Sequence, residues 1–211
     1  MALEVHFLFM YVKASRIANL TDARYFAARE VTYLGFCLDE HSAYFVEPAL
    51  MSAIREWVAG PRIVGEFEQS SAAVVREAAT FFALDAVQVS RVDWLSELQG
   101  LEVILRLEKV ESPGAVASLL EQVAPQVRFF QVEMTASAAQ AAVRDVATTA
   151  AWRQLCARAP VLLDAPLPAN EMAALLAAVQ PAGFALSGST EERPGFKSFE
   201  DVDALFEALN C

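Results

Sequence analysis

The chain has little of several things, and each shortage closes off a class of function. Its 211 residues include two histidines, His6 and His41, too few for a multi-histidine metal site. The three cysteines, Cys37, Cys156 and Cys211, stand far apart with no C-x-x-C pair. That spacing argues for reduced thiols in a cytoplasm and against a disulfide framework. Basic residues are scarce beside acidic ones, 16 against 27, and the net charge of -11 repels nucleic acid and anionic lipid. No apolar run approaches the roughly 20 residues that cross a bilayer. The longest early stretch, 5–12, lacks a basic n-region and a small-residue cleavage site, so it reads as a buried strand. No cofactor, metal or membrane partner is expected.

What the chain has in quantity is apolar sequence, 55 % hydrophobic against 20 % charged. Such a chain folds, and its surplus suits strands buried on both faces or a homodimer that covers apolar surface. Short β-branched or aromatic runs at 6–14, 33–38, 62–67, 86–90, 102–107, 127–132, 160–163 and 183–186 alternate with stretches of helical period. The helical stretches lie near 22–29, 48–58, 71–82, 93–98, 113–123, 138–156, 170–179 and 199–209. Strand-helix alternation without a composition break predicts one α/β domain over 1–211, a (β/α)8 barrel. A doubly wound open sheet is the other architecture that this alternation allows.

Helix starts agree with this scheme. Thr21 or Asn19 is placed to cap the first helix, with Asp22 in its first turn. Ser70 or Ser71, Ser112 before Pro113, and Ser198 before Glu200 repeat the pattern. In a parallel barrel the chemistry gathers at the C-terminal strand ends. That rule selects Ser15, Arg16, Asp39, Glu68, Ser90, Arg91, Lys109, Glu133, Asp164 and the turn Ser187, Gly188, Ser189. Small residues at such a turn let the backbone approach a ligand, and their N–H groups suit a small anion such as a phosphate. An ordinary βα turn uses the same residues.

The turn stands in a longer string, Ala185-Leu-Ser-Gly-Ser-Thr-Glu191-x-x-Pro194-Gly195-x-Lys197. It resembles the D-V-S-S-G-V-E-x-x-P-G-x-K that ends phosphoribosylanthranilate isomerases. That family's opening, K-I-C-G-I-T-N-L-E-D-A, is similar to Lys13-Ala-Ser-Arg-Ile17-Ala-Asn19-Leu20-Thr-Asp22-Ala23. Its G-F-x-F and Y-V-S-P are similar to Gly35-Phe36-Cys37-Leu38 and Phe45-Val46-Glu47-Pro48. Its V-G-V-F-V-N and V-Q-L-H-G are similar to Val64-Gly65-Glu66-Phe67-Glu68-Gln69 and Val87-Gln88-Val89-Ser90-Arg91. The fragments follow one another in family order from one end of the chain to the other. The resemblance implies a barrel of tryptophan biosynthesis that carries out an Amadori rearrangement on a phosphorylated substrate. A general acid opens the ribose ring and a general base removes the C2 proton.

The departures fall on the chemistry. The family's base is the cysteine of K-I-C-G, and Ser15 stands in its place. A thiol near pKa 8.5 can be tuned into a base, whereas a serine hydroxyl needs a neighbouring base to activate it. Arg16 replaces the glycine that follows. The family's acid is an aspartate ending strand six, and the corresponding residue is Glu133, one methylene longer. Tyr44 stands where the family has an arginine that meets the anthranilate, and Ala185 where it has an aspartate. The phosphate loop G-G-T-G is absent from 135–139, and A-G-G-L is replaced by Asp164-Ala165-Pro166-Leu167. Proline removes a backbone donor and Asp164 brings negative charge to the phosphate's place. These changes imply weakened, altered or lost catalysis, the alternative being a non-catalytic anion-binding or scaffold barrel.

Each candidate also has a plainer reading. Arg16 either clamps a ligand or pairs with Asp39 or Glu133 at the rim. Lys13, on an inward strand, needs a ligand or an ion pair with Glu133 or Asp164. Glu133 and Asp164 either split their pKa values as an acid/base pair or are held by Arg16 or Arg91. Cys37 reads as a small core residue, His41 as an exposed loop residue, and Trp57, Trp94 and Trp152 as packing residues of helices.

Overall fold

A computed structural model describes residues 10–187, 191–193 and 196–209. Eight strands close into a parallel barrel in chain order: β1 (Tyr11–Ser15), β2 (Tyr33–Cys37), β3 (Arg62–Phe67), β4 (Ala86–Val89), β5 (Val103–Val110), β6 (Phe129–Met134), β7 (Val161–Asp164) and β8 (Gly183–Ser187). Closure is direct, because β1 pairs with β8 from Tyr11↔Gly183 to Ser15↔Ser187. The open sheet is therefore excluded. A short hairpin, β9 (Glu191–Arg193) with β10 (Phe196–Lys197), follows β8.

The helices are α1 (Leu20–Ala28), α2 (Pro48–Glu56), α3 (Ala72–Phe81), α4 (Pro113–Val123), α5 (Ala136–Arg144), α6 (Val146–Arg158), α7 (Ala169–Val179) and α8 (Glu200–Leu209). Their distribution departs from the expected pattern in two places. After β4, the stretch expected as a helix forms a single 3-10 turn, Val92–Trp94. Few residues separate β4 from β5 there, and so short a piece does not recover the cost of helix nucleation. After β6, the single expected helix is two. Asp145 adopts an extended backbone between them and caps α6, accepting from the Thr148 N–H at 2.7 Å. That side chain offers the backbone a stop and a restart in the middle of an alanine-rich run.

Capping elsewhere follows the sequence in part. Asn19 accepts from the Asp22 N–H at 2.9 Å, Ser71 from Val74, and Ser198 from Glu200. Ser112 occupies the cap position of α4, but its side chain makes no capping bond. The first and last helices are tied together: Tyr25 stacks on Phe199 with ring centroids 3.8 Å apart, and Asp203 accepts from both Tyr25 and Arg29.

Strand alternation divides the core in two. Outward residues such as Leu34, Phe67, Val89, Leu105, Val132 and Phe184 pack against the helices. Inward residues Tyr33, Val64, Ala86, Ile104, Phe129 and Leu162 form a separate apolar plug inside the barrel. The plug fills only the lower part of the barrel. Above it along the strands most inward positions are polar, and that is where the site lies.

Candidate functional site at the barrel mouth

Two residues further along each strand from the plug, the inward positions are Lys13, Gly35, Glu66, Gln88, Arg106, Gln131 and Asp164. Lys13 is wholly buried, and Glu66, Gln88, Arg106 and Gln131 are each no more than 5 % exposed. One further step brings Ser15, Glu68 and Glu133 to the rim. A cavity of about 210 Å³ opens above, lined by Ser15, Arg16, Gln88, Arg106, Glu133 and Asp164 among others.

Three charge relationships hold this layer. Lys13 forms a buried ion pair with Glu66 and donates to Ser15 Oγ at 2.7 Å. Burial pulls the Lys13 ammonium below the ordinary lysine range, while Glu66 and Asp164 work against that shift. Arg106 bridges Glu68 at 2.6 Å, Glu108 at 2.8 Å and Glu133 at 2.5 Å. Asp164 lies outside these pairs. It accepts from the Gln131 amide at 3.3 Å, and burial together with the nearby Glu133 pushes its carboxyl up to about 6, against the pull of Lys13 and Arg106.

Glycine at position 35 is what leaves room for the buried pair, because a Cβ there would overlap the Glu66 carboxylate and reach Lys13 Nζ. Arg16 turns the chain out of β1 in the left-handed region, at φ 56. Its N–H donates to Glu66 Oε2 at 3.1 Å, and its guanidinium lies 4.3 Å above the Tyr44 ring. Asp39 is a structural clasp at the end of β2, accepting from the N–H groups of Glu68, Gln69 and Ser70. Burial would raise its pKa, but those donors prevail and hold it below the usual range.

The sequence candidates are thus brought together in part. Ser15, Arg16, Glu133 and Ser187 all line the cavity, and Lys13 lies beneath it. Gly188 and Ser189 lie outside the described residues. Several expected partners are different ones. Lys13 pairs with Glu66 rather than Glu133 or Asp164, since the barrel's stagger sets β3 level with β1 at this depth. Arg16 meets Glu68 at 3.8 Å rather than Asp39, which is occupied by backbone, or Glu133, which Arg106 holds. Arg91 pairs with Asp93 two residues on. Cys37 is buried and His41 exposed, as read from sequence, while Trp57 projects into solvent at 70 % exposure.

Sequence reading did not single out Glu66, Gln88, Arg106 or Gln131. The signal was present as period two. In Val64-Gly-Glu66-Phe, Val87-Gln88-Val89, Leu105-Arg106-Leu107 and Phe130-Gln131-Val132, a polar residue interrupts an otherwise apolar strand. In a strand buried on both faces, such a residue points into the barrel.

The geometry has a counterpart among known proteins. The family model described as N-(5'phosphoribosyl)anthranilate (PRA) isomerase matches residues 12–208. The chain belongs to this family. Phosphoribosylanthranilate isomerase structures superpose on nearly the whole barrel. The enzyme from Thermus thermophilus is 23 % identical, with TM-score 0.72, over 95 % of this chain and 98 % of that one. The enzyme from Thermotoga maritima is 17 % identical, with TM-score 0.73 over the same shares. A phosphoribosylanthranilate isomerase structure in complex with reduced 1-(o-carboxyphenylamino)-1-deoxyribulose 5-phosphate is 16 % identical with TM-score 0.73, again over 95 % and 98 %. At these identities the superpositions show a shared fold, and the family model shows the membership. No curated protein sequence matches the chain. Among the described residues, no helix is long and apolar enough to cross a membrane.

Proposed function

We propose that this chain is a phosphoribosylanthranilate isomerase-family barrel whose mouth keeps a small-molecule site but no longer carries out the family's Amadori rearrangement. The observation that carries this reading is the setting of Ser15. It occupies the place of the family's basic cysteine, and its hydroxyl oxygen receives a hydrogen bond from the Lys13 ammonium. An ammonium held by Glu66 is a donor. It offers the serine proton no acceptor, so the hydroxyl is not activated as a base.

The other half of the chemistry is altered too. Glu133, in the position of the family's general acid, is engaged by Arg106 at 2.5 Å rather than facing the cavity unpaired. Pro166 lines the cavity where the family places a glycine-rich phosphate loop, and it has no N–H to offer. Ser187 lines the same cavity and is the described part of the remaining turn.

The deciding experiment follows the loss of fluorescence of freshly generated phosphoribosylanthranilate. No turnover above buffer is expected for the native chain, and none for Ser15→Cys, because Arg106 still ties up Glu133. Turnover by the native chain overturns the reading. The free thiols of Cys37 and Cys156 support a cytoplasmic setting. Exposed Trp57, Val74 and Phe81 support a homodimer that covers them.

A further inference from the structure

We propose that the mouth cavity binds a small hydroxylated amine, so that its ligand brings positive charge and hydrogen-bond donors instead of a phosphate. This rests on the reading that the mouth keeps a ligand site while losing the family reaction. It goes further by naming the ligand's class from the charges that remain uncommitted.

The ionisable groups lining the cavity are Arg16, Glu66, Arg106, Glu133 and Asp164. Most are paired: Glu66 with Lys13 beneath, Glu133 with Arg106, and Arg16 with Glu68. Arg106 is further neutralised by Glu68 and Glu108. The group left over is the carboxylate of Asp164, whose polar contact is the Gln131 amide at 3.3 Å. A phosphate entering here would meet Asp164 and Glu133, adjacent strand-end carboxylates in register on β6 and β7. Its approach would cost like-charge repulsion, with Pro166 contributing no N–H in return.

A second observation points to a donor. Gln88 and Gln131 are 4 % and 2 % exposed, both line the cavity, and each has a side-chain carbonyl oxygen with no partner. Buried acceptors without donors are costly, and polar sites that hold a ligand are where they persist. Rotation of the Gln88 amide toward the cavity presents its oxygen to a ligand hydroxyl or ammonium. A ligand ammonium seated between Asp164 and Glu133 offsets part of the excess negative charge there, in the charge-assisted contact that is among the stronger hydrogen bonds. The cavity's 210 Å³ is below the roughly 300–1,000 Å³ that drug-sized ligands fill, which suits a molecule of monosaccharide size.

The groups facing Asp164 are Glu133 and Gln131 on β6, Lys13 on β1 and Arg106 on β5. With its carboxyl titrating at about 6, Asp164 is ionised at pH 7 and protonated at pH 5. A ligand ammonium stays charged across that interval.

The test uses three probes on one scaffold: D-glucosamine, D-glucose and D-glucose 6-phosphate, each titrated against the full chain by calorimetry and thermal shift. Glucosamine is expected to bind and raise the melting temperature, with glucose weaker by tenfold or more and glucose 6-phosphate inert. Asp164→Asn removes a carboxylate whose ionisation burial opposes, so the fold is retained, and it is expected to weaken glucosamine at least tenfold. With the native chain, lowering the pH from 7 to 5 is expected to weaken glucosamine about tenfold. Tighter binding of glucose 6-phosphate overturns the proposal in favour of a retained anion site. No response to glucosamine, or a response that Asp164→Asn leaves intact, overturns it as well. Turnover of phosphoribosylanthranilate would instead strike at the underlying reading, and the two failures are read in separate assays.

Discussion

Lys13 and Glu66 illustrate how a single pair organises the site. The two charges are buried together, and Gly35 makes space for them. Breaking such a pair from one side leaves an uncompensated buried charge, at a cost of about 3–5 kcal/mol, while replacing both partners with apolar residues is often close to neutral. Glu66→Leu is therefore expected to destabilise the chain by several kcal/mol, with the Lys13→Met/Glu66→Leu double variant recovering most of the loss. Urea unfolding of the cycle checks this. Additive losses in the double variant would show that the pair is not coupled. The sequence marked Lys13 as a buried cation in need of a partner, but its candidates were Glu133 and Asp164. Residues 53 apart along the chain are brought together by strand stagger, which local pattern does not encode.

At the scale of elements, agreement between sequence and structure is close where periodicity is strong. The strand at Arg62–Phe67 and the helix at Pro113–Val123 have the boundaries read from the sequence. It fails where a local polar side chain competes with the helix. Asp145 ends α5 and caps α6, accepting from both the N–H and the hydroxyl of Thr148. Loss of a cap of this kind costs about 1 kcal/mol. Asp145→Ala is expected to lower stability by that amount in thermal or urea unfolding, with the barrel retained. An unchanged melting temperature would mean that packing of Trp152 and Leu155 against the barrel, rather than the cap, places α6. The segment after β4 teaches the converse, since six residues of helical composition were too few to nucleate a helix there.

For the whole molecule, the apolar surplus raised at the outset has two destinations. Most of it lies in the two cores, outside and inside the barrel wall. Some stays on the surface, with Phe81 80 % exposed and Trp57 70 % exposed near the ends of neighbouring α3 and α2. Light scattering after size-exclusion chromatography is expected to find a dimer, and Phe81→Lys to shift it toward monomer without loss of fold. A native chain that stays monomeric at high concentration counts against this.

The amino-acid sequence by itself determined the order of the eight barrel strands, the closed α/β barrel class and the family, but not the β9–β10 hairpin. These depend on short-range periodicity, on turn chemistry, and on motifs read residue by residue. Tertiary structure decided which carboxylate holds Lys13, that Arg106 gathers Glu68, Glu108 and Glu133, and that Asp164 lies outside these ion pairs. Those outcomes depend on register and stagger around a closed barrel, where residues far apart in sequence meet at one depth. They also depend on burial, which lowers the pKa of Lys13 and raises that of Asp164.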